Sequence, residues 1–201
     1  MRVAAVILAA GTSSRYRAAD PSVATKLVAP HGGVPLVRRV ADAALASPAR
    51  PVVVVTGHAA PEVRDALAGC AVAFAHNPDF ATGLASSLRV GLGALPADAS
   101  GALVLLGDMP GVTPPLLERL LAAFAIDPAA EAVVPVTAER RGNPALLGRA
   151  LFARAGALTG DEGARRLLAR ARVVEVDVDD DAVLLDVDEP AALRLTPSAN
   201  G

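Results

Sequence analysis

Val3-Ala-Ala-Val-Ile-Leu-Ala9-Ala10-Gly11-Thr12-Ser13-Ser14-Arg15 is an unbroken apolar run that gives way at once to small polar residues and a cation. A run without polar alternation, rich in β-branched residues and closed by glycine, is what a strand covered on both faces requires, and such strands assemble into parallel sheets. Downstream, the same unit recurs. A helix is expected over about 35–46, followed by Pro51-Val-Val-Val-Val-Thr56 and Gly57; then a helix near 61–68, a strand near 72–75, a helix near 84–95, and a strand 102–106 that ends at Gly107-Asp108. Pro114 suits the first turn of a helix reaching about residue 125, and 132–136 supplies another strand. This alternation predicts a single α/β domain, a Rossmann-like three-layer sandwich around a mostly parallel central sheet. After Thr137 the pattern loosens: 140–144 reads as a turn-rich loop, 151–155 and 163–171 as helices. Two β-like runs, 173–178 and 182–187, flank Asp179-Asp180-Asp181 and predict a hairpin. The domain is expected to fill residues 1–195, with 196–201 a frayed tail.

Composition narrows the setting. The 201 residues are 53% hydrophobic and 20% charged, enough apolar material for a core and too much for a disordered chain. No apolar run approaches the roughly 18 to 20 residues of a membrane helix, so no membrane partner is expected. The opening run passes directly into Gly11-Thr12-Ser13 with no spaced cleavage region, which reads as a strand rather than a secretory leader. One cysteine, Cys70, forms no internal disulfide and fits a reducing, cytoplasmic compartment. A net charge of −2 with 2% aromatic residues offers neither a phosphate-backbone footprint nor a stacking platform, which argues against a nucleic-acid polymer as partner. Of the 19 basic residues every one is arginine except Lys26.

In open parallel sheets, ligands bind beyond the carboxyl ends of the strands. The segment after the first strand, Ala9 to Ser13 with Arg15, can curl backbone N–H groups around a phosphate; its spacing alone fits an ordinary strand-to-helix turn equally well. It is neither a Walker loop nor a dinucleotide fingerprint. Gly107-Asp108-Met109-Pro110 sets a carboxylate at the same rim, as a Mg²⁺ ligand or as a turn residue. Eight acids fall between Glu175 and Glu189, among them Asp186 and Asp188, a run that also suits a solvated edge. His31, His58, His76 and Cys70 lack zinc spacing, and Gly83-Leu-Ala-Ser86-Ser87 is not a nucleophile elbow.

Taken in order, Leu8-Ala-Ala-Gly11-Thr-Ser13-Ser-Arg15, Lys26-Leu27, Gly107-Asp108-Met-Pro110 and Asp186-Val-Asp188-Glu-Pro190 resemble the nucleotidyltransferases of glycosyltransferase-A-like fold. Within these, the chain is similar to molybdenum cofactor cytidylyltransferases and their relatives that serve molybdenum hydroxylases. Asn77 to Leu88, Arg141 to Leu146 and Leu158 to Leu168 carry the narrower likeness. The resemblance implies that Leu8, Ala9, Ala10, Gly11, Thr12 and Ser13 wrap a nucleoside triphosphate together with the catalytic residues Arg15, Lys26 and Asp108. It also implies Asp108 and Asp188 as Mg²⁺ ligands, with Asp186 the alternative, and Thr56, Gly83 and Ser87 near base and ribose. Gly142-Asn143-Pro144 and Gly160-Asp161-Glu162-Gly163 would face the acceptor. In that family a molybdopterin phosphate oxygen attacks the α-phosphorus of CTP and pyrophosphate leaves. Ala10 is similar to the cytidylyl members, whereas guanylyl relatives usually carry glycine there. The alternatives are GTP as donor, another phosphorylated acceptor, or a catalytically weak carrier of the cofactor. One departure stands out: Arg15-Tyr16-Arg17 and a long stretch to Thr25 replace the family's short step to the lysine.

Overall fold

All seven residues of the first strand, β1 (Val3–Ala9), are buried, and they feed two separate cores. Val3, Ala5, Ile7 and Ala9 enter one apolar cluster, while Ala4, Val6 and Leu8 enter another. This is the period-two geometry of a strand covered on both faces. In the computed structural model, which describes residues 1–188 and 190, the chain continues through α1 (Ser14–Ala19), a short hairpin of β2 (Pro30–His31) and β3 (Val34–Pro35), α2 (Leu36–Ala46) and β4 (Val52–Thr56). Next come α3 (Ala60–Ala66), β5 (Ala73–His76), α4 (Leu84–Gly93), β6 (Gly101–Leu106), α5 (Pro114–Ile126) and β7 (Ala132–Thr137). The remainder is β8 (Arg140–Arg141), β9 (Ala145–Gly148), α6 (Ala150–Ala155), α7 (Ala164–Leu168) and β10 (Val173–Asp177).

The main sheet runs β10-β7-β9-β6-β1-β4-β5, with β8 on β7. Pairings of β1 with β4 and β6, of β4 with β5, and of β7 with β10 are parallel; β9 lies antiparallel between β6 and β7. Helices α2, α3 and α5 cover one face, contributing Val40, Val63 and Leu117 to its core. On the other face α4, α6 and α7 contribute Leu88, Leu151 and Leu167. This is the three-layer, mostly parallel α/β domain that the sequence predicts, and among the described residues no helix is long and apolar enough to cross a membrane. The chain leaves β1 for β4 and β5 on one side, then crosses to β6 on the other. The carboxyl ends of β1 and β6 therefore diverge around a switch point, where loops can open a cleft.

Two local expectations need correction. The predicted hairpin over 173–187 does not form: β10 pairs in parallel with β7, and Val178 N–H continues that ladder to Val136 O at 2.8 Å. The second run instead begins as a 3₁₀ turn, Asp181–Leu184, because the Asp180 carboxylate accepts from Ala182 N–H at 2.8 Å and caps it. The acidic triplet is thus a turn initiator that redirects the chain. The second correction is β9, which lies in a stretch where the sequence predicts no strand. Four residues of Ala-Leu-Leu-Gly carry too short a pattern to mark a strand, and their place is set by the two neighbours they join. Residues 196–201 fall outside the described part.

Helix α4 lies unusually close to the sheet. A Cβ on Gly91 would come within 2.4 Å of Val6 Cγ1 and 2.9 Å of Val55 Cγ2, both stiff, buried side chains. Two residues on, Gly93 has nothing within 4 Å of that position. Gly91→Ala should therefore destabilise the protein by about 1–3 kcal/mol through overpacking. Gly93→Ala should leave stability unchanged or raise it by up to about 1 kcal/mol through helix propensity. Urea unfolding of the two variants checks this, and equal effects would remove the close-packing account.

Candidate active site

The loop after β1 is shaped by backbone conformation and two hydroxyls. Ser13 adopts a left-handed conformation (φ 52°), which turns the chain into α1. Its Oγ lies 2.9 Å from Thr25 Oγ1 and accepts from Lys26 N–H at 3.2 Å. The loop is in this way stitched to the segment that carries the lysine. Tyr16, the chain's one tyrosine, is buried with Ala29, Leu36 and Val187. Val187 N–H also donates to Asp108 O at 3.1 Å. With Val187 anchored as a plug, its neighbours Asp186 and Asp188 flank it beside Asp108. One ligand oxygen from each of the three carboxylates can be chosen so that all lie within 4.8 Å of one another.

Lys26 bridges this cluster. Its Nζ lies 2.6 Å from Asp108 Oδ2 and 2.9 Å from Asp188 Oδ1. The Lys26 and Asp108 side chains are each only 14% exposed, whereas Arg15, which pairs with the other Asp188 oxygen, is 74% exposed. The lysine contacts therefore dominate, and the exposed arginine contributes little to stability. Burial raises the pKa of Asp108, with Asp186 adding to the shift and Lys26 opposing it. For Lys26, burial alone would lower the pKa, but Asp108 and Asp188 outweigh it and hold the ammonium protonated above its usual range. The hydrogen bond from Lys26 lowers Asp188.

These groups sit at the foot of a cleft of about 730 Å³. Its lining brings together, from the residues the sequence singles out, Leu8, Ala10, Gly11, Thr12, Ser13, Arg15, Lys26, Gly83, Ser87, Asp108, Asp161 and Asp188. Ala9 points away into the opposite core. Thr56 is fully buried at the end of β4, its Oγ1 without a hydrogen-bond partner among the described residues, and does not line the cleft. Gly160 and Gly163 form the support behind the wall: a Cβ on Gly83 would fall 2.3 Å from Gly160 C and O, and one on Gly163 would fall 2.9 Å from Leu84 Cδ2. Gly142 and Asn143 pack on the 3₁₀ turn, with Asn143 N–H donating to Val183 O at 2.8 Å, and neither they nor Pro144 line the cleft.

Sequence reasoning left Asn77, Tyr16 and Phe80 without roles. Buried Asn77 donates through Nδ2 to Ser86 Oγ at 2.8 Å and to Ser87 Oγ at 3.0 Å, which fixes the Ser87 hydroxyl on the cleft wall. The Asn-Pro-Asp-Phe run was the available signal. Phe80 lines the cleft and stacks on His58 with ring centroids 5.9 Å apart, while His58 Nε2 lies 3.0 Å from Arg17. Arg17 thus reaches across to the β4–α3 loop and does not join the cleft lining. Chemically, the arrangement offers a hard oxygen donor set suited to a divalent cation, two cations for anionic oxygens, and a small-residue loop above them.

Comparison with known proteins agrees with this geometry. Residues 5–176 match the family described as MobA-like NTP transferase domain. The bifunctional protein GlmU of Sorangium cellulosum is 32% identical over 176 residues, covering 85% of this chain and 36% of that protein; the chain spans about a third or less of the length of such relatives. Rv0371c of Mycobacterium tuberculosis superposes with a TM-score of 0.83 at 29% identity over 97% of both chains, and its structure has also been solved as a manganese complex. A nucleotidyl transferase of Methanothermobacter, Mth528, gives 0.82 at 25% identity, covering 96% of this chain and 95% of that one.

The raised Asp108 pKa has a consequence for stability. Its folded pKa exceeds its unfolded value, so the native state holds the proton more tightly, and stability is lost as pH rises from the ordinary carboxylate range through the raised value. Asp108→Asn has no such proton. Its stability relative to wild type should climb as pH rises above the ordinary carboxylate range, near about pH 4, in chelator-containing buffer, measured by urea unfolding. A difference that stays flat with pH would refute the buried-carboxylate account.

Proposed function

Because this chain belongs to the MobA-like NTP transferase family, we propose that it transfers a cytidylyl group from CTP to the phosphate of a molybdopterin-type acceptor, with Mg²⁺ and with release of pyrophosphate. The observation that carries the reading is the Lys26 bridge between Asp108 and Asp188 at the foot of the cleft, directly under the Gly11–Ser13 loop. Transfer between phosphate oxygens asks for charge neutralisation and in-line positioning rather than a covalent intermediate, and no nucleophile is needed from the protein.

Lys26 and Arg15 supply mobile positive charge for the triphosphate, and the backbone of Gly11 to Ser13 orients it. The oxygens of Asp108, Asp188 and Asp186 fit a hard cation; when bound, Mg²⁺ would screen the phosphate charge and polarise the phosphorus under attack. Ser87, held by Asn77, and Ala10 favour the smaller pyrimidine: a Cβ at position 10 narrows the wall, and the serine hydroxyl reads a base edge. The acceptor assignment is supported by the motif order along the chain, and of the acceptor segments Asp161 lines the cleft. The recipient of the product, on the same reasoning, is a molybdenum hydroxylase.

The test is pyrophosphate release with molybdopterin, Mg²⁺ and each of CTP, GTP, ATP and UTP. CTP should lead; GTP turnover equal to it would overturn the cytosine assignment, and no turnover with any would favour the carrier alternative. Asp108→Asn should cut kcat more than about tenfold, a barrier rise above roughly 1.4 kcal/mol.

Lys26→Arg is a separate check. A planar guanidinium keeps the charge beside the carboxylates but cannot position phosphate oxygens as a compact, rotatable ammonium does, so kcat should fall by about a hundredfold. Arg17→Lys, on a side chain that faces His58, should change kcat much less. Equal losses in steady-state kinetics would move the phosphate site away from Lys26.

A further inference from the structure

Lys26 sits on the same carboxylate oxygens that a divalent cation would use. Its ammonium contacts Asp108 Oδ2 and Asp188 Oδ1, while Arg15 takes the other Asp188 oxygen. Three carboxylates with oxygens gathered within 4.8 Å repel one another strongly when none of their charge is balanced. The two cations offset that repulsion and leave one negative charge over. A divalent ion arriving alone meets an ammonium already in place, and it must either share oxygens with a like charge or displace a buried lysine that has no other anionic partner among the described residues.

The nucleotide changes this balance. We infer that Lys26 is an internal counterion that keeps the acid cluster closed to metal until a triphosphate enters the cleft and draws the ammonium onto its own oxygens, so that metal and nucleotide bind with strong positive coupling. The inference rests on reading the cleft as a nucleotide site, and it adds an order of assembly to it. Cleft geometry permits the exchange: Lys26, Arg15 and the Gly11–Ser13 loop all line the same cavity as Asp108 and Asp188, so the ammonium has only to swing from the carboxylates to the phosphates above them. The long, rotatable lysine stem allows this swing without moving backbone, since Lys26 N–H is tied to Ser13 Oγ. Because linkage is reciprocal, the metal raises nucleotide affinity by the same factor that the nucleotide raises metal affinity. A protein so built holds little metal at rest and avoids a bound ion without substrate.

The experiment is a Mn²⁺ titration of the full chain without nucleotide, with free Mn²⁺ followed by electron paramagnetic resonance. Compared with wild type, Lys26→Met and Lys26→Gln should bind Mn²⁺ at least tenfold more tightly, and adding Asp108→Asn to Lys26→Met should abolish the gain. Lys26→Arg, which retains the positive charge, should stay within a few-fold of wild type. A non-hydrolysable CTP analogue should tighten Mn²⁺ binding to wild type by tenfold or more beyond the metal carried by the analogue itself, and much less for Lys26→Met. Mn²⁺ affinity unchanged or weakened in both neutral variants, with circular dichroism showing each folded, overturns the proposal. The nucleotide-free titration involves neither CTP nor acceptor, so failure of the transfer reading appears in turnover and not here.

Discussion

One ammonium holds three distant parts of the chain in register. Lys26 reaches Asp188, 162 residues away in sequence, and Asp108 at the end of the central strand β6. The Asp108 carboxylate is costly where it stands: its side chain is mostly shielded from water, and Asp186 adds like charge beside it. Without a cation between them the β6 rim and the Val187 plug would be pushed apart by like charge, and the segment that carries Lys26 would lose its tie to both. The cleft geometry therefore follows from an ion-pair network that ties these segments together.

The framework that presents this network was legible in the chain. Seven consecutive buried residues in β1 and the unbroken valines of β4 could only be strands covered on both sides, and the alternation with helices then fixed a parallel sheet. What escaped was decided by partners rather than by local pattern. β9 is four residues long and exists because β6 and β7 leave a gap that an antiparallel return fills. The acidic triplet at 179–181 has the composition of a hairpin turn, and only the cap from Asp180 to Ala182 reveals a 3₁₀ turn instead.

The site shows the same division. Lys26 was conspicuous as a lone lysine among arginines, and Asp108 by its place at a strand end. The resemblance favoured Asp188 over Asp186 as the second carboxylate, whereas the alternation around Val187 brings both beside Asp108. Asn77 works through Ser87, a relation that separation along the chain hides. Arg17, in the stretch where the chain departs from the family's short step to the lysine, turns to His58 in the β4–α3 loop.

The position of Asp186 and Asp188 after β10, the last strand along the described chain, has a bearing on how the protein comes into being. Chains emerge from the ribosome in order, and domains fold as their elements become available. Every strand of the sheet among the described residues leaves the ribosome before the acid pair does, so Lys26 and Asp108 face each other first as a simple couple. The remaining carboxylates then close onto a finished scaffold. The three-carboxylate cluster is completed late in biosynthesis, and a nascent chain interrupted before residue 186 would offer Lys26 a single one of these aspartates.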